Sequence, residues 1–423
     1  MPNWIIIVIF FVVVFLNTPI AIALAVSSII MIIASPTMKV GIISGCIYNG
    51  IAKFVLLAIP YFILAGIIME YSGISKRLVN LARVYVGHRK GGLIIVITGV
   101  SCFFGAISGS GTACIAAIGG IMIPAMVHDH YDRGFSTALV SISAGIGMII
   151  PPSITFVVYA MVAGVSIIDQ FTAGIFPGLL LGVAFTIAGL FTIRNQDDIV
   201  ILPKASKKMK LQALKDAAWG LISPIIILGG IYSGVFTPTE AAGISVVYCL
   251  FVGFFVYKEL KFKDLKEMAF EAAKTTAMIM FIISFANIFS WYLATSGVAV
   301  SITSTFMNLS SNKYVLFLMM DVVFLIAGCF LDPTSICFIL VPIFIPLCKA
   351  AGINLIHFGV VYNVACLIGL LTPPVGTNLY VGAKIGGISA TENAKKALPF
   401  IVIGIVTLII LTIFPEISLI LVN

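Results

Sequence analysis

Apolar residues run along this chain in long blocks, not in alternation. Ile5–Ile33, Phe171–Ile193, Leu221–Tyr257 (bent at Thr237-Pro238) and Phe400–Phe414 carry almost no charge, and about 20 apolar residues suffice to cross a bilayer. A β-barrel would read as short alternating segments instead. The pattern predicts an all-α polytopic membrane protein. Two further runs are interrupted, one by "GAISGSGTA" (Gly105–Ala113) and one by "GCFLDPTS" (Gly328–Ser335); each predicts a re-entrant helical hairpin with that sequence at its tip. Two more contain Pro151-Pro152 and Pro373-Pro374. Proline lacks the N–H donor and clashes with the preceding turn, so each pair predicts a broken helix.

The interruptions recur in register. A shift of 222 positions sets Thr112 on Thr334, Pro124 on Pro346, Ile146-Gly147 on Ile368-Gly369, Pro151-Pro152 on Pro373-Pro374, Thr155 on Thr377 and Gly164 on Gly386, without a gap. Upstream, "EYSGIS" (Glu70–Ser75) resembles "ATSGVA" (Ala294–Ala299), and "NTPIAIA" (Asn17–Ala23) resembles "FTPTEAA" (Phe236–Ala242). Residues 1–193 thus form one repeat, with helices 1–91 and then a hairpin and broken helix, 92–193. A basic linker, 194–218, leads to a second repeat, 219–423: helices 219–312, hairpin and broken helix 313–396, terminal helix 397–423.

Charge changes the picture by orienting these segments. Hydrophobic residues make up 61% and charged residues 9% of the chain, where a soluble domain has about a quarter charged. The net charge of +8 comes largely from three segments, Lys76–Lys90, Arg194–Lys215 and Lys258–Lys274. Basic loops stay cytoplasmic, so the excess reports topology, not a polyanion partner. With the N-terminus inside, Ile5–Ile33 crossing once and each hairpin returning to its own side, 20 of the 24 Lys and Arg fall inside. The C-terminus is then outside, and the two repeats have opposite orientations. The first run lacks the basic n-region and cleavage site of a signal peptide. Lys258–Lys274 approximates an amphipathic helix on the membrane surface.

The candidate chemistry lies at the interruptions. Backbone freed from its helix ladder at membrane depth must face protein or a wet cavity. Inverted repeats with broken helices are a secondary-transporter design, with half-helix N-termini facing anionic substrates and freed carbonyls holding Na⁺. The first tip offers the hydroxyls of Ser108, Ser110 and Thr112; oxygen ligands without thiolate or imidazole suit a hard cation. At the second tip Asp332 replaces Ser110, and an acid at depth is costly and points to function. "TPTE" (Thr237–Glu240) reads as a capping box and is structural. Asp321 and Glu70 are left without a role. His128 and His130 read as a solvated loop, and the eight scattered cysteines lack metal-ligand spacing.

Together "TPTEAAG", "GAISGSGTA", "GIGMIIPPS", "FLDPTS" and "LLTPPVGTNLYV" resemble the large membrane subunit, the M or DctM-type permease, of tripartite ATP-independent periplasmic (TRAP) transporters, over essentially the whole chain. The resemblance implies an ion-transporter-superfamily fold in the bacterial inner membrane, with a scaffold and a transport domain that moves as an elevator. It implies Na⁺-coupled uptake of an organic acid, such as a C4-dicarboxylate or sialic acid, with about two or more Na⁺ ions. A small Q-type (DctQ) membrane subunit, as a separate chain, and a soluble periplasmic binding protein (P subunit) would be partners. Carried over by position, Ser108, Ser110, Gly145, Met148 and Ile150 would serve one Na⁺ site, and Gly328, Thr372 and Thr377 its mate. Ser110, Ser153, Asp332, Thr377 and Asn378 would face the substrate. Against an enzyme, the first tip reads A-I-S-G where a rhomboid-type serine needs G-x-S-G, and a paired-aspartate protease needs a G-x-G-D setting that is missing. A nucleotide-driven pump needs a phosphate-binding loop that is also absent. A channel built from re-entrant loops remains the alternative.

Overall fold

Proline, glycine and short polar side chains decide where the helices of this apolar chain begin and end. The computed structural model describes residues 3–422 except 197 and 202, with the backbone alone at 106–108. In the first half the helices are Ile5–Phe15 (α1), Ile20–Ala34 (α2), Ile42–Ile51 (α3), Ala58–Tyr71 (α4), Ile74–Val86 (α5), Gly92–Ser108 (α6), Gly111–His128 (α7), Arg133–Gly145 (α8), Ile154–Ala163 (α9) and Ile167–Thr192 (α10). In the second half they are Lys207–Tyr232 (α11), Pro238–Phe251 (α12), Phe262–Thr295 (α13), Val298–Leu309 (α14) and Lys313–Gly328 (α15). There follow Pro333–Ala350 (α16), Leu355–Gly369 (α17), Thr377–Gly386 (α18), Ala390–Ile413 (α19) and Glu416–Leu419 (α20). Among the described residues eight helices are long and apolar enough to cross a membrane, which makes this a multi-pass membrane protein.

The expected interruptions are present. Gly109 and Ser110 alone separate α6 from α7, with Gly109 at φ +58°, a conformation that favours glycine. Residues 329–332 separate α15 from α16. The proline pairs leave residues 149–153 and 370–376 outside any helix. Element bounds keep the sequence register: α7 and α16 start 222 residues apart, as do α8 and α17. "TPTE" forms the capping box, with Glu240 N–H donating to Thr237 Oγ1 and Thr237 N–H to Glu240 Oε2.

Four expectations are corrected. The run Ile5–Ile33 is not one crossing: it breaks between α1 and α2, where Asn17 has φ +62° and Pro19 ends the ladder. Asn3 then donates to the Ser296 carbonyl at 2.6 Å, at the far end of α13. The start of α1 therefore lies by the Thr295 end of α13, away from its Phe262 end. The basic segment 258–274 is not a separate surface helix either. It leads into α13, 34 residues long, because nothing between Lys274 and Phe281 stops the helix. The second half also begins earlier than expected, since Ser206 caps α11 at Lys207, inside the stretch read as a linker. The last long helix likewise starts at Ala390, capped by Ser389, and ends at Ile413.

Packing sorts the helices into two groups. In one, α13 lies against α2, α3 and α4, α12 against α4, and α11 against α5. In the other, elements of the two halves interleave: α7 and α8 on α18, α8 and α10 on α19, and α9 on α16. The groups meet where α13 and α14 touch α16 and where α5 touches α6. Helix α10 shows how both lipid and protein are served. Leu179, Val183 and Ile187 are exposed along one face, while on the other Gly174, Gly178 and Gly182 make room for the Ile149 carbonyl and the Ile150 and Cys102 side chains.

Candidate functional site

Four helix starts converge on one cavity of about 460 Å³. The starts of α7 (Ser110, Thr112), α16 (Asp332, Thr334), α9 (Thr155) and α18 (Thr377, Asn378) all line it. The first N–H groups of a helix lack intrahelical partners, and the helix dipole adds positive potential there. The fourfold convergence therefore makes an anion-attracting cradle whose side chains are mostly hydroxyls and amides. Asp332 is the one charged residue among the described residues lining it. The opposite wall is apolar and comes from α13 (Met278, Phe281) and the start of α2 (Pro19, Ile20), with Thr275 as a polar exception. The cavity thus lies between the two packing groups.

Each tip is built by its own cap. Ser110 accepts from the Ala113 N–H at 3.5 Å and lies 3.2 Å from the Thr112 hydroxyl. Asp332 holds its tip more firmly. Its Oδ2 accepts from the Ser335 N–H at 3.1 Å and its Oδ1 from the Ser335 hydroxyl at 2.5 Å, while the Tyr362 hydroxyl donates to the Pro333 carbonyl. Behind each tip a hairpin arm touches the adjacent broken helix through glycine: Gly105 on Gly147, and Gly328 on Gly369. No side chain fits between either pair.

The structure brings Ser110, Met148, Asp332, Thr377 and Asn378 to the cavity wall. Asn378 is 1% exposed and its Nδ2 has no hydrogen-bond partner. Ser153 is elsewhere: fully buried as the cap of α9, it turns its hydroxyl onto the Met148 carbonyl at 2.5 Å. Thr155 reaches the same carbonyl at 3.0 Å and lines the cavity. Ile150 packs on Gly178 of α10, and Gly145 on Leu367. Gly328 lies behind its tip, and the Thr372 hydroxyl donates to the Ile368 carbonyl at 2.9 Å. The Ser108 side chain lies outside the described residues. In the second break, Gly376 donates to the Cys329 carbonyl at 3.0 Å, joining break to hairpin. Oxygen donors with no thiol or imidazole fit a hard cation such as Na⁺.

Sequence reasoning missed part of the wall. Thr155 was legible as the repeat partner of Thr377. Thr275, Met278 and Phe281 carry no local pattern, since only the approach of α13 gives them a role. A second cavity of about 280 Å³ shares Ser110, Thr112 and Thr275 with the first and is lined at its other end by Glu70 and Glu271.

A helical bundle of this design, with paired tips and broken helices around one cavity, points to a class: multi-pass membrane transporters. The chain belongs to the family described as "Tripartite ATP-independent periplasmic transporter, DctM component", whose sequence profile matches residues 7–417. It is 40% identical over 370 residues to the C4-dicarboxylate TRAP transporter large permease protein DctM of Pseudomonas aeruginosa, covering 88% of this chain and 86% of that one. It is 34% identical over 407 residues to the sialic acid TRAP transporter large permease protein SiaM of Vibrio cholerae, covering 96% and 95%. Among solved structures, the YdaH transporter of Alcanivorax borkumensis has the same fold, with a TM-score of 0.62 at 16% identity over 88% of this chain and 87% of that one. The relatives are named as permeases, which fits a transporter and not a catalyst. A transporter of this family is a multi-pass protein of the bacterial inner membrane.

Proposed function

We propose that this chain is the permease of a Na⁺-coupled secondary transporter for an organic acid, working by an elevator movement. The observation that carries the proposal is the convergence of four helix starts on one cavity between two packing groups. The group of α1–α5 and α11–α14 is the scaffold; α6–α10 with α15–α19 is the transport domain. The two halves are inverted repeats in the membrane. The basic segments are cytoplasmic and both termini periplasmic, a placement supported by the Asn3 contact at the Ser296 end of α13.

The substrate carboxylate sits at the starts of α7 and α18, where N–H groups, Ser110 and Asn378 donate to it. Asp332 faces the substrate's hydroxyl or amine groups, because it would repel the carboxylate. Na⁺ ions are cargo, held between tip and break: one near Ser108, Ser110, Gly145, Met148 and Ile150, the other near Gly328, Thr372 and Thr377. Freed carbonyls and hydroxyls strip the ion's water and neutralise part of the substrate charge. Glu70 and Glu271 line the route toward the cytoplasm. A small Q-type membrane subunit braces the scaffold, and a periplasmic binding protein delivers substrate. C4-dicarboxylates and sialic acid are the substrate classes supported by the relatives' names.

The test is uptake into proteoliposomes containing this chain and its Q partner. Binding protein is loaded with labelled C4-dicarboxylate or sialic acid, with and without an inward Na⁺ gradient. Accumulation that requires both Na⁺ and binding protein is expected. Equal flux without either would mean a channel.

A further inference from the structure

Asp321 lies in the middle of α15, about 12 Å from its start, and is 3% exposed. The Thr412 hydroxyl of α19 donates to its Oδ2 at 2.7 Å, while its Oδ1 has no partner. No cation lies within ion-pair distance of it among the described residues. A carboxylate so placed is strongly disfavoured unless its charge is met. Thr412 has one hydroxyl hydrogen and two acceptors in reach, Asp321 and the Leu408 carbonyl at 2.9 Å. With Asp321 ionised, the hydroxyl points to Asp321. With Asp321 protonated, the carboxyl donates to Thr412 and the hydroxyl turns to Leu408. Both states are well bonded at Thr412.

A second buried titratable side chain, His357, stands beside it. Ser418 Oγ lies 2.6 Å from His357 Nδ1 and 2.9 Å from the Pro415 carbonyl, so its one hydrogen also has two acceptors in reach. His357 Nε2 makes no hydrogen bond, on a residue 3% exposed. His357 and Thr412 line one cavity of about 120 Å³, which reaches Lys313 and Asn354 at the starts of α15 and α17. It has room for roughly four waters. One carboxylate and one hydroxyl are too few oxygens for a metal ion.

We propose that Asp321, with Thr412 and His357, is a proton-binding site of the transport domain, reached from the periplasmic side through this small cavity and separate from the site between the hairpin tips. The charged and titratable groups around it are few. Lys313 and Tyr314 stand at the mouth of the cavity and His357 within it. Lys349 on α16, Glu416 on α20 and Asp169 on α10 lie nearer the surface. Cys337 and Cys348 of α16 and Cys366 of α17 are buried, and the Tyr362 hydroxyl is engaged with Pro333. The last turns of α19, from Phe400 onward, carry no titratable group.

Two readouts test this. Infrared titration of the permease–Q complex in lipid, from roughly pH 5 to pH 9, is expected to show a protonated-carboxyl band that fades as pH rises and is missing in Asp321→Asn. Uptake at a fixed Na⁺ gradient is expected to vary with pH by up to about tenfold per unit, the limit for one proton. Asp321→Asn should flatten that profile and keep the Na⁺ dependence; His357→Gln should shift its midpoint. An unchanged band or an unchanged pH profile in Asp321→Asn overturns the proposal. So does a shifted Na⁺ half-saturation with the pH profile intact, which would make Asp321 a Na⁺ ligand. If Asp321→Asn does not fold, Thr412→Val, which keeps the carboxyl, must move the band's midpoint, and no movement overturns the proposal. The infrared readout needs no transport, so its failure is distinguishable from failure of the uptake mechanism.

Discussion

The first and second halves use the same backbone plan with their acids exchanged. At the tips, Ser110 caps α7 and Asp332 caps α16. At the next helix starts the order reverses: Asp132 caps α8 and Asn354 caps α17. The capping geometry tolerates either residue, since Ser, Asp and Asn all accept the N–H of a first turn. What differs is the surroundings. Asp132 sits outside the apolar segments, where Lys396 lies 2.9 Å away. Asp332 faces the central cavity, with two bonds from Ser335 holding it. A fold made twice thus gains a polar axis across its cavity, with hydroxyls on one side and an acid on the other.

The comparison breaks most severely at the glycine contacts. A Cβ on Gly147 would stand 2.5 Å from the Gly105 Cα, and one on Gly105 would meet Gly147 still more closely. In the second half, a Cβ on Gly328 would stand 3.0 Å from the Gly369 Cα. Gly105→Ala is therefore expected to cost about 3 kcal/mol or more and Gly328→Ala about 1–2. The thermal midpoint and yield of folded protein in detergent would show that order, and equal losses would contradict the difference in fit.

Next come the tips. Asp332→Asn keeps a cap but removes the charge, and uptake should fall by roughly tenfold to a hundredfold, as for a lost charge-assisted bond. Ser110→Ala should cost about fivefold, in line with about 1 kcal/mol for a lost cap. Initial uptake rates in proteoliposomes would reveal a reversed ranking, and with it a wrong assignment of the acidic face. Tyr362→Phe removes the hydroxyl that braces Pro333 and should cost about 1 kcal/mol in thermal stability. The Tyr159 hydroxyl likewise donates into the second half, to the Leu355 carbonyl.

The smallest effect concerns Asp132. Partial burial raises its pKa, but the Lys396 ammonium and the Phe135 N–H outweigh this and hold it below the usual carboxylate value. Its contribution is full above the unfolded value of about 3.9 and is lost as pH falls through the lowered folded value. Asp132→Asn should thus lie slightly below wild type, by under about 1 kcal/mol for so exposed a pair, and meet it in acid. Thermal midpoints at several pH values would check this, and a gap that widens in acid would contradict it.

Much of the plan was legible in sequence because its marks are local. Pro151-Pro152, Pro373-Pro374, "SGSGTA" and "LDPTS" act within a few residues, through missing donors and caps. The break between α1 and α2 was also marked by "NTP", yet the apolar run concealed it. Composition alone cannot separate one long crossing from two short helices. Ser153 was expected to face the substrate, but it caps α9, and which way its hydroxyl turns depends on where Met148 ends up. Asp321 was left without a role, because its partner Thr412 lies 91 residues away.

The sequence by itself determined the membrane class, the repeat and the four interruptions, since hydropathy and proline chemistry act without regard to distant partners. Only the tertiary structure decided that α13 walls the cavity, that Asn3 meets Ser296, that four helix starts converge and that Thr412 reaches Asp321. Those facts rest on which surfaces come together across hundreds of residues. Close packing settles that, and no local pattern encodes it.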